Sequence, residues 1–83
     1  MMTPEEVEDK LDKLYSNPDY PKQRITLPAQ EAAQGFANNY KDSIISVETN
    51  WNGGVDVGID RVTVEFDSNG HIELIDVDYY YGY

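Results

Sequence analysis

The sequence predicts an α+β fold, with two N-terminal helices followed by a three-stranded antiparallel meander (ααβββ), in one domain spanning residues 1–83. Two observations carry this expectation. Apolar residues recur at helical spacing as far as Tyr40, and at a period of two from Ile45 onward. Turn signals, Asn52-Gly53-Gly54 and Asp67-Ser68-Asn69-Gly70, punctuate the alternating part. A chain of 83 residues holds one core. Cores of this size leave a net stability of roughly 3–5 kcal/mol.

The first helix opens on Thr3, Pro4 and Glu6. Thr-x-x-Glu is a capping box, and proline suits the first helical position because its missing N–H would be unpaired there anyway. Val7, Leu11, Leu14 and Tyr15 then form one apolar face, and Asn17-Pro18 ends the helix. A second helix is expected from about Pro28 to Lys41, where Ala29, Ala32, Ala33, Phe36, Ala37 and Tyr40 make a stripe of period 3.6. Alanines let a helix approach its neighbour closely. Gly35 costs about 1 kcal/mol relative to alanine in a helix, which points to a close backbone approach at that position.

After Asp42, Ile45, Val47, Thr49 and Trp51 alternate, then Val55, Val57 and Ile59, then Val62, Val64 and Phe66. A loop at 52–54 is expected to pair Trp51 with Val55, Thr49 with Val57 and Val47 with Ile59. A loop at 68–70 is expected to pair Phe66 with Ile72 and Val64 with Leu74. Continued, the second hairpin sets Ile59, Val57 and Val55 opposite Tyr79, Tyr81 and Tyr83. One parity conflict stands out. The apolar positions are odd-numbered through Ile59 and even-numbered from Val62. A bulge near Asp60-Arg61 is the expected remedy, the alternative being a sheet apolar on opposite faces at its two ends. The apolar side is then closed by the helices or, in a homodimer, by a second copy.

Charge is the strongest global property. Sixteen acids against six bases give −10 and a pI near 4.1. Residues 1–41 carry 7 acids and 5 bases, net −2; residues 42–83 carry 9 acids and Arg61, net −8. Direct binding to nucleic acid or to an anionic membrane is disfavoured, because both need basic groups against phosphate. A basic partner is favoured. The absence of cysteine excludes disulfides, thiolate metal sites and cysteine nucleophiles. The acidic N-terminal stretch shows no signal-peptide pattern, and no apolar run approaches the ~20 residues of a membrane span, so a cytoplasmic location is the simplest expectation.

The candidate site residues follow from the second half. Glu48, Asp56, Asp60, Asp76 and Asp78 fall on or near the face opposite Val57 and Ile59. Alternate strand residues lie roughly 6.5 Å apart, so carboxylates at that repeat can imitate a phosphate backbone. The plainer alternative is a solvated face that keeps the sheet soluble. Trp51 is a core anchor at the sheet edge or an exposed hot spot. Tyr80 and Tyr81, beside Asp78, either pack on the sheet or join Trp51 as apolar anchors for a cationic partner.

No catalytic residue, cofactor or metal site is expected. His71, the only histidine, follows a turn and has no nucleophile beside it. Asp67-Ser68-Asn69-Gly70 starts like a calcium loop and then departs from it, and no phosphate-binding or nucleophile-elbow motif occurs. In composition alone, with no residue correspondence, the chain is similar to small acidic inhibitors from phages and mobile elements that block restriction, CRISPR or repair enzymes by posing as nucleic acid. The expected function is therefore a non-enzymatic inhibitor docking on a basic protein, in particular a nucleic-acid-binding enzyme or complex. The alternatives are an immunity or antitoxin-like protein that neutralises a basic toxin, and a halophilic structural domain.

Overall fold

A computed structural model describes residues 2–17, 24–40, 45–50 and 52–77. Helices α1 (Pro4–Ser16) and α2 (Leu27–Asn38) precede strands β1 (Ile45–Thr49), β2 (Val55–Ile59), β3 (Val62–Phe66) and β4 (Ile72–Val77). The strands form one antiparallel sheet in chain order, β1-β2-β3-β4. The α+β order is as expected, but the meander has four strands, not three.

The fourth strand comes from the parity switch. Asp60 and Arg61 are a tight two-residue turn, with Ile59 directly opposite Val62. A two-residue loop makes paired residue numbers sum to an odd value. Odd positions of β2 therefore face even positions of β3: Val55 with Phe66, Val57 with Val64, Ile59 with Val62. One apolar face results with no bulge at that place. The turn is made possible by Asp60, whose φ of 56° is left-handed, a conformation that aspartate tolerates better than most residues.

The remaining registers shift accordingly. Five residues, 50–54, join β1 to β2, so Thr49 pairs with Val55, Val47 with Val57 and Ile45 with Ile59, two positions from the expected register. Phe66 pairs with Ile72 as expected. A bulge at Glu73 then places Val64 opposite Ile75 and Glu65 opposite Leu74. Because β2 lies between β1 and β3, its residues cannot pair with Tyr79, Tyr81 or Tyr83; those tyrosines themselves lie outside the described residues.

The capping box of α1 is present: Glu6 N donates to Thr3 Oγ1 and Thr3 N donates to Glu6 Oε1, both at 3.2 Å. Asn17 closes the helix by donating to the Leu14 carbonyl. Val7 and Leu11 are fully buried. Helix α2 starts one residue earlier than expected, because Thr26 is its N-cap and accepts from Ala29 N, and it ends three earlier, where Asn39 N caps the last carbonyls. Its alanines 29, 33 and 37 are fully buried against the sheet.

Thr26 does more than cap. Its N–H donates to the Gly53 carbonyl at 2.9 Å and its hydroxyl donates to the Ser68 carbonyl. The start of α2 is thus fastened to the β1–β2 loop and to the β3–β4 turn, which lie at the same end of the sheet. Gly70 of that turn has φ +81°, and a Cβ there would stand 2.6 Å from the Pro28 carbonyl. Glycine is required by both conformation and space.

Both helices lie on the apolar face. Helix α1 packs on β1, and α2 packs on β2 and β3. The core comprises Val7, Leu11, Ile25, the α2 alanines, Ile45, Val47, Val55, Val57, Ile59, Val64 and Phe66. Phe36 extends it, with its ring 5.8 Å from that of Phe66. The helices of the same chain therefore close the apolar side of β1 to β3, with no second copy needed there.

Two predictions follow from the backbone. Gly35 is exposed, and a Cβ there would meet nothing within 4 Å, so the expected close approach is absent. Gly35→Ala should raise stability by about 0.5–1 kcal/mol in urea unfolding; a loss would show that the helix needs glycine there. Asp60→Val should lower stability by about 1–2 kcal/mol, because a β-branched residue is poorly accommodated at that φ. Asp60→Gly should not lower it, and equal losses in both variants would reject the turn geometry.

Candidate partner-binding face

The sheet face away from the helices is built by the positions that alternate with the core. On β1 these are Ser46 and Glu48, on β2 Asp56 and Gly58, on β3 Thr63 and Glu65, and on β4 Leu74 and Asp76. Glu48 stands directly opposite Asp56, and Asp56 directly opposite Glu65. Adjacent strands are about 4.8 Å apart, so three carboxylates form a row across the sheet within about 10 Å. Leu74 ends the row, 50% exposed, and Asp76 stands two residues along β4, opposite Thr63. None of these eight positions is basic.

The geometry differs from the expected one. Carboxylates run across neighbouring strands rather than at a 6.5 Å repeat along one strand. Glu48, Asp56 and Asp76 share the face as expected. Asp60 lies instead in the β2–β3 turn at the end of the sheet. Trp51, Asp78, Tyr80 and Tyr81 lie outside the described residues. Glu65 and Leu74 join this face without being expected there. Glu65 carries a signal, since it alternates with Val64 and Phe66, whereas Leu74 reaches the face only through the bulge at Glu73. Treating 55–66 as one bulged strand hid the Glu65 signal, because only a turn at Asp60-Arg61 sets Glu65 beside Asp56.

The electrostatics follow from the packing. The carboxyl of half-buried Glu65 is raised from its ordinary value, first by loss of solvent, then by the like charges of Asp56, Glu73 and Asp76. Like charges placed directly opposite on adjacent strands destabilise a sheet. Asp56 is held in place, since Asn50 Nδ2 donates to Asp56 Oδ1 at 3.2 Å. The same amide donates to the Phe66 carbonyl at 3.1 Å. Asn50 Oδ1 accepts from Gly54 N at 3.0 Å and Asn52 N at 3.2 Å. One asparagine therefore organises the β1–β2 loop, reaches β3 and orients a carboxylate of the row.

A second acidic region lies between the helices, where an open groove of about 480 Å³ is lined by Glu5, Glu8, Asp9, Asp12, Gln30, Glu31 and Gln34. No described basic residue lines this groove, but beside it helix α1 carries two lysines. Lys13 Nζ is 2.9 Å from Asp9 Oδ2, and Lys10 stands beside it. Among the described residues, no group of three or more His, Cys, Asp or Glu is arranged to hold a metal ion. No described helix is long and apolar enough to cross a membrane. No known family model matches the chain, and no curated protein or solved structure shows significant similarity to it.

The Asp67 turn supplies an opposite pKa effect. Asp67 Oδ1 accepts from His71 N and Asn69 N, both at 2.9 Å. These bonds, that from His71 first, hold its carboxyl below the ordinary 3.8. Asp67 therefore contributes stability above 3.8 that is lost as pH falls through its lowered value. Glu65 behaves in the reverse sense. Its raised pKa means that ionisation opposes folding, so its contribution is fully present below 4.5 and lost as pH rises through the raised value. The melting temperature should accordingly rise as pH is lowered from 7 towards 4.5, then fall below about 3.8. Glu65→Gln should reduce the slope of the upper limb and leave the acid limb in place. An unchanged upper slope in that variant would reject like-charge crowding at Glu65.

Proposed function

We propose that this protein is a non-enzymatic binding module whose acidic sheet face docks on a basic partner, at a surface built to hold nucleic acid. The carrying observation is the cross-strand row Glu48–Asp56–Glu65, with Asp76 beside it, on a face whose strand positions include no basic residue. A row on adjacent hydrogen-bonded strands is pre-organised, so little conformational entropy is lost when cations meet it. Its field steers cationic surfaces toward it. Lysine and arginine side chains that normally contact phosphates would instead contact these carboxylates, and Leu74 at the end of the row would accept their aliphatic stems. Inhibition by occupancy is the biochemical consequence.

Capture on the immobilised protein, with and without competing DNA and at two salt concentrations, identifies the partner. The retained protein should be a basic nucleic-acid-binding one, released by DNA and by salt. The double variant Glu65→Lys/Asp76→Lys should then bind it at least about tenfold more weakly and with a shallower salt dependence. Relief of crowding at Glu65 keeps the variant folded, which its melting curve would verify. Undiminished affinity in the folded double variant would overturn this placement of the site.

A further inference from the structure

The two edges of the sheet differ. Beside β1, Met2 forms a bridge with Ile45, so chain from the N-terminal segment occupies part of that edge. Beside β4, no strand is present among the described residues. Strand β4 is also apolar on both sides. Ile72, Ile75 and Val77 point to the side of the helices, yet they are 54%, 58% and 44% exposed, because the helices cover only β1 to β3. Leu74 points to the acidic side and is 50% exposed. Every residue of β4 is exposed. An outer strand with unpaired backbone groups and uncovered apolar side chains is a template for another strand.

We propose that β4 accepts, as a fifth strand, an extended segment of the basic partner in which apolar residues alternate with lysine or arginine; the inference rests on the partner reading above and specifies how that partner docks. Strand periodicity fixes the alternation. Side chains of an added strand on the helix side meet Ile75 and Val77, so they are apolar. Those on the other side stand about 5 Å from Leu74 and Asp76. A long cationic side chain there lays its methylenes on Leu74 and carries its charge to Asp76 or onward to Glu65. A second copy of this chain is a poor occupant. It brings its own net charge of −10 and would set Glu73 and Asp76 against the same carboxylates. The edge charge at Asp76 deters self-pairing. The same charge attracts a cationic strand.

The test uses the full chain and two synthetic octapeptides of equal charge, one alternating lysine and valine, the other alternating lysine and proline. Proline removes the donors a strand needs. At low salt the lysine–valine peptide should bind at least tenfold more tightly and slow hydrogen exchange of β4 amides. Ile75→Gln, which adds no charge, should sharply reduce that advantage while leaving the weaker lysine–proline binding unchanged. Equal binding of both peptides without β4 protection would overturn strand addition and leave the acidic-face reading standing. Binding of neither would overturn strand addition directly; the acidic-face reading is judged separately, by the charge-reversal double variant. β4 amides already protected in the free monomer, or a dimer in sedimentation that Ile75→Gln dissociates, would show the edge occupied by the chain itself or by a second copy. Either result would overturn the proposal.

Discussion

The tight turn at Asp60-Arg61 decides which side of the sheet each residue occupies. Strand side chains alternate strictly, so a change of one residue in a connection inverts everything that follows it. With two residues in the turn, Val62, Val64 and Phe66 join Val55, Val57 and Ile59 on one face, and both helices can cover it. The same step brings Glu65 beside Asp56. The core and the like-charge row are thus two consequences of one connection. A single left-handed residue at φ 56° is a small strain against the burial it permits.

At the opposite end of the sheet, the helical layer is fixed by backbone carbonyls of the loops. Thr26 joins α2 to Gly53 and Ser68, Gly70 lies against Pro28, and Asn50 ties the β1–β2 loop to β3. The described residues bury no whole polar side chain, so these part-buried bonds at the rim carry the orientation that a buried polar network would otherwise supply. Anchored there and filled with alanine, α2 sits close over β2 and β3, while α1 takes β1. Two helices placed in this way reach three strands. The exposure of β4 is therefore set by where the helices are fastened, rather than by the polarity of β4, which remains strongly apolar.

Much of this was legible from residue spacing. Thr3, Glu6 and Asn17 mark α1 because capping chemistry is local. The Asp67–Gly70 turn is local as well, and its Gly70 N to Asp67 carbonyl bond of 3.0 Å is the one its residue types imply. What escaped was decided by tertiary geometry. Asp60-Arg61 carries no glycine or asparagine, so it does not announce a two-residue hairpin, and only the parity switch betrays it. The cap at Thr26 was masked by Pro28, the more conspicuous start signal. The β1–β2 register depends on Asn50 side-chain bonds to Gly54 and Asn52, which no alternation pattern encodes. Glu65 was hidden by the same missed turn.

The row of carboxylates carries a cost to the sheet. Surfaces of small domains more commonly intersperse charges of both signs. Helix α1 does so in part, with Lys13 paired to Asp9 and Lys10 nearby. The sheet face departs from that pattern. Glu48, Asp56 and Glu65 occupy facing positions on adjacent strands, where like charges oppose each other most strongly, and the strand positions around them offer no cation. In a domain whose stability is a few kcal/mol, crowding of this kind is a local rule broken, and such departures concentrate where a surface has work to do. Among the described residues the compensation is partial: Asn50 donates to Asp56, and the facing strand positions supply no cation. An apolar edge strand with uncovered side chains on both faces borders that row on one side. The most crowded like charges and the least covered apolar strand therefore lie next to each other on one sheet, and both follow from where the turn and the helices fall.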